Sequence, residues 1–407
     1  MQAAEPIVLN GYYTLIWATI VLLVGRVLVA KIKFLRDFNI PEPVAGGLIA
    51  AIVMSILYTQ GISFTFEASL QSAFMMIFFA SIGLSADFSR LKQGGIPLVI
   101  FLIIVSVFII IQNAVGVGLA TALGQHPLMG LITGSITLTG GHGTGAAYGK
   151  ILTETYKVPS AVEIAMVSAT YGLVAGGLIG GPVARRLVNK MGRKPLETPV
   201  DNSDNAKSYD DKTFENAGHQ RLITATSAIE TMALFAACLA FSSFMVKALP
   251  DLKLPQFVWA IGCGVVLRNV LTTVFKFDMF DRAIDVFGNA SLSLFLAMAL
   301  MSLKLWQLAD LAGPMIIILG VQTVVMILYA YFVTAKFMGG DYDAAVLAAG
   351  HCGFGMGATP TAVANMQSIT NTFGSSHKAF LIVPLVGAFF IDVVNLAILD
   401  AMMKMLG

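Results

Sequence analysis

Residues 344–371 read AAVLAAGHCGFGMGATPTAVANMQSITN, a stretch long and apolar enough to enter a lipid bilayer but broken at its centre. Three glycines lie within five residues there, and each costs a helix interior about 1 kcal/mol relative to alanine. Thr359 followed by Pro360 is typical of a helix that starts again, with threonine as N-cap and proline at the first helical position. The stretch therefore predicts two short helices joined by a turn, a re-entrant hairpin that leaves the membrane on the side where it entered.

A second stretch, residues 129–150, has the same character and reads MGLITGSITLTGGHGTGAAYGK. Its motif GHGTGA matches GFGMGA within residues 344–371, so that Gly141 corresponds to Gly353. Thr144 is predicted to cap its returning arm. We call residues 129–150 the first hairpin and residues 344–371 the second hairpin.

The composition excludes a water-soluble protein. Of the 407 residues 57% are hydrophobic and 12% are charged, whereas about a quarter are charged in an average soluble domain. Apolar runs of about 20 residues, the length that spans a bilayer, recur along the chain and predict an all-α polytopic membrane protein. The ten predicted spans are 11–30, 43–58, 68–86, 97–123, 160–184, 222–246, 256–272, 283–303, 313–335 and 379–403.

The distribution of basic residues predicts the orientation. Cytoplasmic loops are enriched in Lys and Arg, and the charged segment 193–216 lies on the richer side, so it is predicted to be a cytoplasmic linker. Both termini are then periplasmic and the chain is a multi-pass inner-membrane protein. The net charge of +2 is small, and the absence of a basic stripe with interleaved aromatics argues against a nucleic-acid partner.

The two halves, residues 1–192 and 217–407, resemble each other weakly but in the same order. Besides the glycine motifs, Gln112 in the fourth span parallels Gln322 in the ninth. Five spans per half is an odd number, which predicts two inverted repeats, the plan of many secondary transporters. The alternative is a duplicated membrane scaffold without transport.

The hairpin tips are the predicted substrate site. Non-helical backbone within the membrane is tolerated where protein buries it or where it borders a watery cavity, so the two tips are expected to meet near the midplane. Helix starts there offer unpaired N–H groups and partial positive charge, which suits an anion such as a dicarboxylate amino acid. The alternative for the glycines is that they serve close helix packing. For His142 and His351, a role in the core is as plausible as a role in binding. The predicted substrate-binding residues are Gly141, His142, Gly143, Thr144, Gly145, Gly355, Gly357, Ala358, Thr359 and Thr361.

Asp392, inside the tenth span, indicates a coupling-ion site. An ionisable residue within a membrane helix is a functional site by default, and Asn395 lies three residues later on the same helical face. We predict sodium as the coupling ion, with proton binding by Asp392 as the competing view, and no other cofactor. The candidate sodium ligands are Asp392, Asn395, Thr137, Thr139 and Asn365.

Four segments resemble the bacterial sodium/glutamate symporter family: IPEPVAGGL (40–48), GSITLTGGHGTGAA (134–147), NASLSLFLAMAL (289–300) and AAGHCGFGMGATPTAVANMQ (348–367). The resemblance implies sodium-dependent uptake of L-glutamate, inverted five-helix halves with re-entrant loops, and a homodimer. The wider relatives of that family, sodium-coupled hydroxycarboxylate carriers, suggest that the hairpins belong to a mobile unit that moves against a scaffold.

Other functions remain open on the sequence. A channel would not require paired inverted hairpins. A membrane enzyme is disfavoured because the chain lacks HExxH, GxSxG and GxxxxGK[ST] motifs, so we predict a protein that is not an enzyme. Within transport, the near alternatives are uptake of aspartate or citrate and coupling to protons.

Overall fold

The computed structural model describes residues 7–38, 40–193, 223–250, 254–303 and 311–406. The predicted linker 193–216 lies outside the described residues from position 194 onward. The described part is helical except for two three-residue strands, β1 (Ile7–Leu9) and β2 (Phe64–Phe66), which pair in parallel with Ile7 opposite Phe64. The prediction of an all-α protein is confirmed for the membrane-spanning elements, and strands as short as these two leave no periodic pattern in the sequence.

Seventeen helices are described, and the breaks between them carry the functional information. The first half contains α1 Gly11–Lys31, α2 Lys33–Asp37, α3 Glu42–Thr59, α4 Ala68–Ser85, α5 Ser89–Ala122, α6 Pro127–Leu131, α7 Gly141–Glu154 and α8 Ala161–Lys190. The second half contains α9 Ala225–Ala248, α10 Gln256–Thr273, α11 Asp281–Met301, α12 Ala312–Tyr329, α13 Ala335–Phe337, α14 Tyr342–Met356, α15 Thr359–Phe373, α16 His377–Leu385 and α17 Ile391–Leu406. π-Helical turns extend three of these elements at Ile132–Ile136, Ala330–Thr334 and Val386–Phe390.

Eight helices of the described part are long and apolar enough to cross a membrane: α1, α3, α4, α5 from Gly95 onward, α8, α9, α11 and α12 with its extension to Phe337. The prediction of a polytopic helical membrane protein is confirmed. The other two predicted spans correspond to α10 and to the α16–α17 pair, so the count of ten crossings stays a prediction.

Local sequence explains where the fourth span begins. Gly95 has φ +61° and ψ −160°, a conformation that breaks the helix, and Pro97 follows two residues later. Proline lacks the N–H that a helix interior uses but is accepted in a first turn. The membrane-crossing part of α5 therefore starts at this kink, close to the predicted start at residue 97.

The helices form two packed groups. In the first, α4 packs against α10 and α11, α3 against α1 and α11, and α9 against α10. In the second, α8 packs against α7, α12, α14 and α15, while α5 packs against α6, α12 and α17. Each group thus combines corresponding spans of the two halves, and both hairpins belong to the second group.

Candidate functional site

The first hairpin is a helix, a π-helical turn and a second helix. Non-helical angles at Gly134 (φ −105°, ψ −136°) distort the incoming arm, and α7 begins at Gly141, whose φ of +67° favours glycine. Gly140 occupies the N-cap position, without a side-chain cap. The prediction that Thr144 caps this arm is wrong, because the helix starts three residues earlier and buries Thr144 in its first turn.

The second hairpin breaks at Gly357 and Ala358. Gly357 has φ −146° and ψ −95°, and Ala358 is extended at φ −157° and ψ 164°. The N-cap of α15 is therefore Ala358, and the predicted cap Thr359 is the first helical residue. This shift of one residue matters because alanine has no side-chain acceptor, so the start of α15 has no side-chain cap.

Some hairpin glycines serve packing. A Cβ atom on Gly353 would lie 2.3 Å from the Cα atom of Ala362, on the opposite arm. The two arms of the second hairpin can approach this closely only with glycine at that position. The packing interpretation therefore holds for Gly353, whereas Gly141 is required by its positive φ.

The two breaks contact each other. A Cβ atom on Gly141 would lie 3.7 Å from the carbonyl oxygen of Gly357. The hydroxyl of Thr139 lies 3.4 Å from the carbonyl oxygen of Gly355. Stretches more than 200 residues apart in the chain thus come together through their unwound backbone.

Gln112 of α5 connects both tips. Its Nε2 donates to the carbonyl oxygen of Gly355 at 3.1 Å, and its Oε1 accepts from the hydroxyl of Thr139 at 2.9 Å. Its own backbone carbonyl accepts from Nε2 of Gln322 at 2.7 Å. Since both glutamines are fully buried, these hydrogen bonds fix the tips relative to α5 and α12.

The predicted substrate-binding residues lie at these tips. Buried are His142, Gly143, Thr144, Gly145, Gly355, Gly357 and Thr361, whereas Gly141, Ala358 and Thr359 are half-buried. The Oγ1 atom of Thr361 is buried and has no hydrogen-bond partner among the described residues. It is an available hydroxyl in the first turn of a helix without a side-chain cap, where a carboxylate would find a donor.

The two histidines differ from each other. Nε2 of His142 lies 3.0 Å from the hydroxyl of Thr170 on α8, which orients the ring at the first tip. His351 is fully buried, with Nδ1 2.8 Å from the hydroxyl of Thr334. Aromatic rings surround it: Phe101, Phe108, Tyr329 and Phe354. The geometry favours a core role for His351.

Asn395 provides the strongest candidate cation ligand. Its Nδ2 donates to the carbonyl oxygen of Ser135 in the first hairpin at 3.0 Å, while its buried Oδ1 has no partner among the described residues. Asn113 binds the same residue twice, donating to the Ser135 hydroxyl at 2.8 Å and accepting from its N–H at 2.9 Å. Oxygen ligands suit hard cations, so an unpartnered amide oxygen beside a carbonyl is a suitable start for a sodium site.

Asp392 lies one turn before Asn395, in the first turn of α17. Its side chain is partly buried and forms no hydrogen bond or ion pair with another described residue. Positions three residues apart on a helix are about 5–6 Å apart at Cβ. The carboxylate is therefore available to a cation held near Asn395.

The other three candidate ligands already have hydrogen-bond partners. The hydroxyl of Thr137 donates to the carbonyl oxygen of Ile132 at 2.6 Å, and that of Thr139 donates to Gln112. A donating hydroxyl keeps its lone pairs, so both oxygens can still bind a cation. Asn365 donates to Gly176 on α8 at 2.9 Å, a different neighbour from that of Asn395.

Sequence reasoning missed Ser135 and the role of Gln112 in the site. Ser135 lies within the first hairpin, and two buried asparagines from other helices converge on it. Gln112 had a sequence signal, since it corresponds to Gln322, but that signal indicated duplication and not a contact with the tips.

Comparison with known proteins gives the family that the four sequence segments resemble. The profile of the family described as "Sodium/glutamate symporter" matches residues 7–375. The chain belongs to the sodium/glutamate symporter family. It is 52% identical over 395 residues to a sodium/glutamate symporter of Haemophilus influenzae, covering 96% of each chain. It is 53% identical over 390 residues to those of Escherichia coli K12 and Shigella flexneri, covering 95% of this chain and 96% of theirs.

The profile match includes the residues of both hairpin tips but not all of the candidate cation ligands. The profile covers both hairpins and ends before α16, whereas Asp392 and Asn395 lie beyond residue 375. The similarity to the curated relatives extends over almost the whole chain. The family prediction made from the glycine segments is confirmed.

Proposed function

We propose that this chain is a secondary active transporter that takes up L-glutamate together with sodium by alternating access, with the substrate held between the two hairpin tips. The name of the family and of its relatives supports glutamate as substrate and sodium as coupling ion. The contact between the tips, at Gly141 and Gly357 and at Thr139 and Gly355, is the observation that carries the proposal.

The chemistry of the tips supports a carboxylate ligand. Two helices, α7 and α15, start beside this contact without side-chain caps. The first N–H groups of a helix have no partner within it, and the macrodipole places partial positive charge there. One carboxylate of glutamate at each helix start would neutralise the partial positive charge of both helices.

Sodium binding would involve the junction of α17 with the first hairpin. Asn395 Oδ1, the Ser135 carbonyl and the Asp392 carboxylate are the oxygen ligands that the contacts favour. Moving the net negative glutamate inward against an inside-negative potential costs about 2.3 kcal/mol per 100 mV. At least two cations per glutamate would turn that cost into a driving force, and Thr137 and Thr139 would be candidates for a second site.

The two packed groups of helices support alternating access. Both hairpins belong to the group around α8, and few contacts connect this group to the one around α4. A mobile unit formed by the second group, which contains both hairpins, moving against a scaffold formed by the first group would carry the site across the membrane. Re-entrant hairpins, inverted repeats, an inner-membrane location with periplasmic termini and a homodimer complete the proposal.

The test is uptake by purified protein in liposomes under sodium and proton gradients imposed separately, with aspartate and citrate as competitors. We expect glutamate to accumulate with sodium, and Asp392→Asn to abolish or sharply reduce accumulation. Asp400→Asn is the matched control, because Asp400 lies on the same helix but pairs with Lys404 at 2.8 Å.

Three results would change the assignment. Wild-type activity in Asp392→Asn would remove this carboxylate from the mechanism. Accumulation driven by protons alone, or preference for aspartate or citrate, would favour the alternative of a different carboxylate carrier. Flux that neither saturates nor exchanges labelled glutamate would indicate a channel.

A further inference from the structure

A groove lies between α8 and α15, outside the contact between the tips. Its cavity has a volume of about 810 Å³, within the range of about 300–1,000 Å³ that is usual for small-molecule sites. From α15 it is lined by Thr361, Ala364, Asn365 and Ser368. These positions follow the spacing of one helical face, so the groove follows α15 along its length. We call it the α8–α15 groove.

The inner end of the groove is at the second hairpin tip. A Cβ atom on Gly177 of α8 would lie 3.6 Å from Cγ2 of Thr361. Thr361 belongs to the lining and is 1% exposed, and its buried hydroxyl has no partner among the described residues. A buried donor without a protein partner needs a polar ligand or water to satisfy it, and this one lies beside the groove.

The outer end of the groove is positively charged. Arg185 and Arg186 belong to its lining and are exposed. Arg185 follows Gly177 by eight residues, or about 12 Å along a helix that rises 1.5 Å per residue. Asp37, from the segment between α1 and α3, is the only acidic residue that lines the described groove. Two guanidinium groups against one carboxylate leave an excess of positive charge.

The wall between these ends combines small and polar residues with the apolar residues Leu178 and Pro182 of α8. Gly181 on α8 has no atom within 4 Å of the position its Cβ would take, so open space adjoins the helix there. Ala364, Asn365 and Ser368 form the opposite wall. Asn365 and Ser368 in this wall offer hydrogen-bonding groups to a hydrated polar solute.

We infer that the α8–α15 groove is the passage through which glutamate moves between the hairpin tips and the cytoplasm, with Arg185 and Arg186 binding its carboxylates at the outer end and the Thr361 hydroxyl at the inner end. The inference rests on the proposed function and on its topology, in which the C-terminal end of α8 is cytoplasmic. The arginines raise the local concentration of the anion at the mouth.

The first test compares the two faces of the membrane. The double variant Arg185→Gln/Arg186→Gln and the control Lys190→Gln, which changes a basic residue of α8 outside the groove lining, are assayed in inside-out and right-side-out vesicles. We expect the glutamate KM in inside-out vesicles to rise about fivefold in the double variant, the scale of losing exposed charge pairs. The KM in right-side-out vesicles, and both KM values of Lys190→Gln, should stay within about twofold of wild type on the same principle.

The second test leaves the arginines intact. Ala364→Cys should react with a membrane-impermeant maleimide in inside-out vesicles, and glutamate with sodium should slow that reaction. Lys190→Cys should react at the same rate with and without glutamate. Labelling of the protein without the introduced cysteine measures the reaction of its own cysteines, and this background is subtracted.

The outcomes separate this inference from the proposed function. Failure of the wild-type protein to take up glutamate with sodium would overturn the function itself. Normal uptake with an unchanged inside KM in the double variant, or Ala364→Cys labelling that glutamate does not slow, would overturn the passage alone. A KM change seen only in liposomes containing phosphatidylglycerol, and absent in phosphatidylcholine, would assign the arginines to lipid headgroups and also overturn it.

Discussion

Replacing Gln112 by methionine should destabilise the protein more than the same replacement of Gln322. Both glutamines are fully buried, they correspond in the two halves, and methionine preserves the approximate volume of each. They differ in hydrogen bonding. The Gln112 side chain makes two hydrogen bonds that hold Gly355 and Thr139, while Gln322 makes one and leaves its Oε1 without a partner in the described part of the chain.

The magnitude follows from these contacts. Interhelical hydrogen bonds in membranes contribute about 0.6 kcal/mol each on average, so Gln112→Met loses roughly 1 kcal/mol directly. It also leaves the buried Gly355 carbonyl without its donor, at a cost of about 1–3 kcal/mol. Thr139, already 3.4 Å away, can turn toward that carbonyl and recover part of this cost. The expected total is about 1–3 kcal/mol.

Gln322→Met should cost about 0–1 kcal/mol, because it loses one hydrogen bond and removes a buried acceptor that has no partner. Reversible unfolding in mixed micelles measures both free energies, and glutamate uptake in liposomes measures the effect on the tips. Equal destabilisation by the two variants, or a larger loss in Gln322→Met, would refute the conclusion that Gln112 holds the hairpins together.

Two further predictions concern packing and charge. Gly172→Ala should destabilise the protein by about 1–3 kcal/mol, the usual cost of overpacking, because its Cβ would lie 2.1 Å from the Met356 carbonyl oxygen. Gly181 lies on the same helix with open space around it, so the free energy of unfolding of Gly181→Ala should equal that of the wild type in the same assay. Arg268→Gln should cost about 3–5 kcal/mol, because it removes the buried cation that pairs with the buried Asp87 and the partly exposed Asp281. Arg26→Gln, at an exposed ion pair, should change the free energy of unfolding by less than about 1 kcal/mol.

The positions of the two helix breaks could be predicted because their causes are local. Glycines clustered within a long apolar stretch, followed by Thr359 and Pro360, disfavour a continuous helix whatever its neighbours are. The exact start of each returning arm could not be predicted as reliably. Caps depend on backbone angles at single residues, and here Gly140 and Ala358 took the cap positions without any side-chain acceptor.

Contacts between distant segments were beyond the sequence. In the sequence, Arg268 is one of 25 Lys and Arg residues. In the structure it is buried and pairs with Asp281 and, at 3.0 Å, with Asp87, which lies 181 positions away in the chain. No spacing rule connects residues so far apart, and one sequence read by itself carries no record of their pairing.

The glutamines also bear on the symmetry of the duplication. Residues that correspond in two copies related by a two-fold axis can touch only if both lie near that axis. Gln322 donates to the backbone of Gln112, so an axis relating the halves would pass between α5 and α12. The Gly141–Gly357 approach lies close to the same place, since Gln112 also binds Gly355. The inverted duplication that we propose would bring the two glycine breaks to one site for the same reason, because both would lie near the axis that relates the halves.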